Sequence, residues 1–184
     1  MTGLDAHLPA LQVVAPLLIA PLVILLRPRG LAWAAATAAS LMAFAIAAQL
    51  TAGVLGGQEY RYALGGGPAP YGIVLRVDSF SALLLLIVTG ASTLALLAGK
   101  ASLEREIEAR RQPLFYSAWL LVLAGLAGIL VAADAFNIFV FMEISSLASY
   151  VLVAGGPDRR ALPAVFKYLI MGTIGATFYL IGVG

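Results

Sequence analysis

The 184-residue chain contains no cysteine, and its only histidine is His7, close to the N-terminus. Without thiolates it can neither hold an iron–sulfur cluster by cysteine nor use disulfide redox chemistry. A histidine-based metal site is implausible, and no nucleophile–histidine–acid set can form around one isolated imidazole. Charge is also scarce. Only 11% of the residues are Asp, Glu, Lys or Arg, against about 25% in a typical soluble domain, while 62% are apolar and the net charge is +2. No basic patch interleaved with aromatic residues is present for nucleic acid. The glycine run Gly65 to Gly67 lacks the following Lys-Ser/Thr of a phosphate loop. No repeat of 20 to 50 residues stands out, and no residue of the chain offers an electron-carrying group, so no cofactor is expected.

The chain is rich instead in long apolar runs. A bilayer core of ~30 Å takes about 20 helical residues at 1.5 Å each. Six runs meet that length: Leu8 to Leu26, Leu31 to Leu55, Tyr71 to Gly99, Leu114 to Ala132, Asp134 to Ala154 and Leu162 to Gly184. The expected fold is an all-α, polytopic bundle of six transmembrane helices. Pro16 and Pro21 lie inside the first run, where a kink is expected. That run lacks the basic n-region of a signal peptide.

The connections set orientation. Those after the odd-numbered spans hold Arg27, Arg29, Lys100, Arg105, Arg110, Arg111, Arg159 and Arg160; the opposite side holds Arg61 and, near the interface, Arg76. By the positive-inside rule the N-terminus lies outside the cytoplasm, in a multi-pass protein of the inner, cytoplasmic membrane. The stretch from Ser102 to Arg111 reads as a solvated connector, and the Gly/Pro-rich stretch from Gly56 to Pro70 as a loop. The chain divides into an N-terminal hairpin with its outer loop, 1–72, and a second part, 73–184, that carries the remaining spans.

Two charges fall inside spans. Glu143 is ~13 to 17 Å from either end of the fifth helix by its rise, close to the midplane. Ionised side chains there cost ~3 kcal/mol on insertion scales, and they mark functional sites by default. Lys167 lies ~10 Å into the sixth span. The short turn makes the last two spans antiparallel, with an axial offset of ~8 Å between Glu143 and Lys167. The pair reads either as a static ion pair that fixes packing or as a titratable couple in which the lysine charge sets the carboxylate's proton affinity. Ser146 and Tyr150 share the face of Glu143, and Asn137, Ser145 and Ser149 add polar groups to the same helix. Thr173 and Thr177 add hydroxyls on the sixth, where Gly172 and Gly175 allow close approach. Small polar residues also simply pack membrane helices, and only their grouping with Glu143 argues for a wet path. Asp78 and Asp134 are read as helix caps.

Two segments carry a resemblance: DAFNIFVFMEISSLASY from Asp134 to Tyr150, and RRALPAVFKYLIMG from Arg159 to Gly172. They resemble the antiporter-like proton-channel subunits of respiratory complex I, membrane-bound hydrogenases and multisubunit cation/proton antiporters, most closely the D-type subunit of the last group. The resemblance is specific from Asp78 onward. It implies that Glu143 is the glutamate needed for proton translocation and that Lys167 is a candidate partner. It also implies a larger fold of about fourteen helices with inverted repeats and broken helices, other membrane subunits as partners, and protons with Na⁺ or K⁺ as cargo. The family keeps a further lysine on a seventh helix. This chain stops at Gly184, so a fragment or a truncated product is expected. Three functions follow: a subunit of a cation/proton antiporter, a proton-pumping arm of an NADH:quinone oxidoreductase or membrane-bound hydrogenase, or an inactive truncated piece.

Overall fold

A computed structural model describes residues 5–26, 29–64, 72–156 and 160–184. Arg27 and Pro28, the glycine run with Pro70 and Tyr71, and Asp158 and Arg159 lie outside the described residues, as does the side chain of Arg29. After a 3-10 turn at Asp5–His7 come α1 (Leu8–Leu25), α2 (Arg29–Leu55), β1 (Tyr60–Ala63), β2 (Val74–Val77), α3 (Ser79–Glu106), α4 (Gln112–Val131), α5 (Ala135–Ala154) and α6 (Ala161–Val183). All six helices are long and apolar enough to cross a bilayer. Helices are the natural outcome, since every backbone N–H and C=O must find a partner within the segment where no water is at hand. α1 runs unbroken through Pro16 and Pro21.

The third span differs from expectation. It starts at Ser79 rather than Tyr71 and continues to Glu106, through much of the expected connector. The residues ahead of it form an antiparallel hairpin where the sequence suggests loop and helix, with Tyr60 opposite Val77, Arg61 opposite Arg76, and Tyr62 opposite Leu75. The alternation explains it: Tyr60, Leu75 and Val77 are buried while Arg61 and Arg76 are exposed, the period-2 pattern of a half-buried sheet. Such a short apolar run cannot be told from a helix start by periodicity. What ends β2 is Asp78, whose carboxylate accepts the Ser81 N–H at 2.8 Å and caps α3. Asp134 caps α5 likewise, accepting the Asn137 N–H at 2.8 Å.

The bundle closes around α4, which packs against α1, α2, α3 and α5. Two apolar clusters fill it. One lies beneath the hairpin and includes Leu50, Tyr60, Leu75, Leu85 and Val131. The other, toward the opposite end, gathers Val23, Leu96, Tyr116 and Leu120 against a row of alanines on α2. Those alanines, Ala32, Ala36, Ala39 and Ala43, are all buried, as is Ala47 of the first cluster. Their spacing puts them on one face, where small side chains let helix backbones approach. A polar tie crosses the layers: Ser40 donates to Ser92 Oγ at 2.9 Å, Thr93 to Ser40 Oγ at 3.2 Å, and Trp119 Nε1 to Ser92 Oγ at 2.9 Å. The hairpin is fastened to the α4–α5 corner by the Leu75–Ala132 bridge and by the Ala133 N–H donating to the Val74 carbonyl at 3.0 Å.

Candidate functional site

The site is built from α5, which rests one face on α4. Gly125 and Gly128 on α4 make that approach possible. A Cβ at Gly125 would lie 2.7 Å from Ser145 and 2.8 Å from the Phe141 carbonyl, and one at Gly128 would enter the Phe141 ring. Phe141, Ser145 and Ala148 therefore face α4. At 100° per residue Glu143 lies on the opposite side of α5, with Phe139, Ser146 and Tyr150.

That opposite side is the one α6 covers. Phe139 stacks with Tyr179 at a centroid distance of 6.3 Å, and Tyr150 meets Tyr168 edge-on at 4.8 Å. The Tyr150 hydroxyl presses on Gly172, leaving no room there for a side chain. Tyr179 also donates to the Ala135 carbonyl at 3.0 Å, tying the far end of α6 to the first turn of α5. Glu143 is partly buried between these two aromatic contacts and lies ~12 Å from the start of α5 by helix rise. The contacts also fix the register of the pair. Interpolated between them, Gly175 of α6 stands level with Glu143, and a Cβ there would meet nothing within 4 Å. Gly175 is itself exposed, so at that depth α6 lays no side chain against α5.

The other residues named from sequence are placed less centrally. Lys167 is exposed and lies about 120° around α6 from the Tyr168, Gly172 and Tyr179 stripe. In the observed register it is level with Val151, ~12 Å along the axis from Glu143 rather than ~8 Å. The difference arises because the first turn of α6 projects beyond the end of α5. No Glu143–Lys167 ion pair within 4.0 Å forms, whereas Arg111 and Glu108 do pair, at 3.7 Å. Asn137 is drawn into the cap, its side-chain amide donating to the Asp134 carboxylate. Ser145 and Ser149 donate to the carbonyls of Met142 and Ser145 on their own helix, at 2.9 and 2.8 Å. Thr173 and Thr177 bond back to Leu169 and Thr173 in the same way. Gly172 allows close approach as expected, whereas Gly175 does not meet a neighbour at all.

Sequence reasoning misses the aromatic seam of Phe139, Tyr168 and Tyr179 and the glycine step of Gly125 and Gly128. The glycines carry a signal in their three-residue spacing on an apolar helix. The seam carries none, because only the register of two helices brings its residues together. No group of three or more metal-binding side chains occurs among the described residues.

No family model matches the sequence. The chain is 42% identical over 187 aligned positions to the N-type subunit of the NADH-quinone oxidoreductase of Desulforudis audaxviator, an alignment covering 98% of this chain and 36% of that protein. It is 35% identical to the D-type subunit of the Na(+)/H(+) antiporter of Bacillus subtilis, over 80% of this chain and 29% of the relative. It is 36% identical to the D-type subunit of a probable K(+)/H(+) antiporter of Rhizobium meliloti, over 100% of this chain and 34% of the relative. The chain therefore spans about a third of the length of the curated relatives it matches. Among solved structures, it superposes on a chain of the archaeal membrane-bound sulfane sulfur reductase with a TM-score of 0.87 and 30% identity, covering 96% of this chain and 36% of that one. For a chain of the Mrp complex from Dietzia sp. DQ12-45-1b the TM-score is 0.86 at 27% identity, over 99% of this chain and 34% of that one. Sequence and fold agree that this multi-pass membrane chain belongs to the antiporter-like family that includes the D-type subunits of cation/proton antiporters and the N-type subunit of NADH-quinone oxidoreductase.

Proposed function

We propose that the chain acts in a multisubunit Na⁺ or K⁺/proton antiporter and that Glu143 carries the proton within the membrane. One observation carries this reading: a partly buried carboxylate near mid-span, on the side of α5 that faces α6. A carboxylate in such a slab gains or loses a proton as nearby charge moves, because burial penalises the charged form and an adjacent cation favours it. The likeness to D-type antiporter subunits from two bacteria supports the cation/proton assignment. Lys167 is proposed to act at longer range, through water or after α6 rotates, since its ammonium is not in contact with Glu143. Ser146, Ser149, Tyr150, Asn137 and Thr173 are proposed to support the path by lining or bracing α5 and α6. The basic connectors place the N-terminus outside the cytoplasm in this reading, and other membrane subunits complete the assembly.

A second reading has its own support. The 42% identity to the N-type subunit of an NADH-quinone oxidoreductase favours a proton-pumping arm whose redox centres reside on partner chains. Proton uptake by everted vesicles carrying the assembled complex tests both. Glu143→Ala brings the dye response to the vesicle background while the complex still assembles; undiminished flux in that variant overturns the role of the carboxylate. Reversal of a preset quench by added Na⁺ or K⁺, as the entering cation drives protons out, supports the antiporter, and quenching that NADH alone drives supports the pump.

A further inference from the structure

The β1–β2 hairpin contains an electrostatic arrangement that its own fold does not explain. Arg61 and Arg76 stand directly opposite one another, both exposed on the same face. Like charges in that relation destabilise a two-stranded sheet. Neither guanidinium has an ion-pair partner within 4.0 Å among the described residues. Glu59 directly precedes β1 and Asp78 directly follows β2, each two residues from an arginine, so the acids flank the basic pair at one end of the hairpin. All four line one cavity of about 540 Å³, whose other walls include Tyr60, Ser81, Leu130 and Ala133. The result is a basic row and an acidic row ~7 Å apart along the strands.

The cavity sits where the bilayer interface must be. It lies at the N-terminal cap of α3 and at the α4–α5 corner, the points where three spans leave the apolar layer. A ligand that relieves both rows must carry an anion and a cation a few ångströms apart, and at this depth it is most abundantly a lipid headgroup. We propose that this face binds a phosphatidylethanolamine headgroup, its phosphate held between Arg61 and Arg76 and its ammonium between Glu59 and Asp78. Arginine suits the phosphate because its planar fork donates two parallel hydrogen bonds. Asp78 caps α3 through the Ser81 N–H, and an exposed carboxylate, with about four lone-pair sites, has further capacity to accept from an ammonium N–H. Phosphatidylglycerol offers the phosphate without the cation, and phosphatidylcholine offers a cation with no N–H to donate. Both therefore satisfy only half of the site.

The test uses the chain in its native membrane assembly, reconstituted in nanodiscs of phosphatidylethanolamine, phosphatidylglycerol or phosphatidylcholine in a common carrier lipid. Retained lipid is counted by native mass spectrometry. The wild type is expected to keep phosphatidylethanolamine in preference to both others. R61Q and R76Q each lower its retention by about tenfold, the loss of one charge-assisted phosphate contact. E59Q leaves phosphate binding but removes the preference over phosphatidylglycerol. Equal retention in wild type and the arginine variants overturns the site, as does wild type holding phosphatidylglycerol equally well. Displacement of the lipid by soluble phosphoethanolamine at equal concentration overturns the lipid assignment in favour of a small solute. Should the arginine variants fail to assemble, the wild-type lipid preference and E59Q decide the question alone.

Discussion

α4 and α6 are similar in length, at 20 and 23 residues, and both are long and apolar enough to cross a bilayer, yet 56% of the most apolar stretch of α4 is buried against 6% for α6. α6 is the less apolar of the two, with a mean hydropathy of 1.5 against 2.2 and Lys167 inside it, and the two differ also in their small residues and neighbours. α4 presents Gly125 and Gly128 to α5 and Leu120, Leu123 and Ala127 to the two apolar clusters. α6 packs along α5 through a narrow aromatic seam, and exposes Phe166, Met171, Phe178 and Ile181. α4 lies among α1, α2, α3 and α5, whereas α6 packs chiefly on α5, and since a bilayer gives little hydrophobic gain on bringing two apolar helices together, the shape of each contact sets how closely they approach. The site follows from this difference. Glu143 lies on the side of α5 that faces α6, not on the side locked to α4.

Substitutions on the two sides sharpen the contrast. The largest structural effect is expected at Gly128. Gly128→Val drives a side chain into the Phe141 ring and should destabilise the α4–α5 contact by about 1–3 kcal/mol, the range for overpacked cores. A lower unfolding midpoint in detergent, with flux lost in step, checks it; an unchanged midpoint breaks the claim that α4 and α5 form one rigid unit.

A smaller effect is expected at the cap of α3. The Asp78 carboxyl is held below the usual carboxylate range, chiefly by the Ser81 N–H, then by the Ser81 hydroxyl and the Arg76 charge. A depressed folded pKa means that the cap contributes fully above the ordinary aspartate value of about 3.9 and is lost as pH falls through the lower, folded value. The protection factor of amides in the first turn of α3, after correction for the intrinsic pH dependence of exchange, should therefore fall only in acid below that range. Asp78→Asn should remove that pH dependence, and a dependence that survives it assigns the effect elsewhere.

The smallest stability effect is expected on the loose side. Gly175→Ala places its methyl in open space, so the midpoint should move by less than about 0.5 kcal/mol. Proton flux should nevertheless drop if the bare stretch of α6 level with Glu143 serves the path. Unaltered flux would show that this stretch has no role in it.

The fold is legible from the sequence to the degree that helices depend on length and hydropathy alone. All six spans can be read that way, and so can the caps at Asp78 and Asp134, since an acidic residue ahead of an apolar run has few other uses there. The hairpin is not legible, because Val74 to Val77 is apolar, short and continuous with a helix in composition. Glu143 stands out as a carboxylate far from either end of its span. Its expected meeting with Lys167 rests on helix rise and a turn of assumed geometry, and the projection of α6 past the end of α5 moves the lysine about one further turn away.

The sequence by itself determined the solvent, the number of crossings and the depth of Glu143, because each depends only on the count and kind of residues along one helix. The tertiary structure decided which way Glu143 faces, what stands beside it, and that Arg61 and Arg76, well separated along the chain, meet across a hairpin. Rotation and register between helices are set by the contacts of many side chains at once, at Gly125, Gly128, Phe141 and the Tyr150–Tyr168 pair. No local pattern in the chain encodes that joint fit.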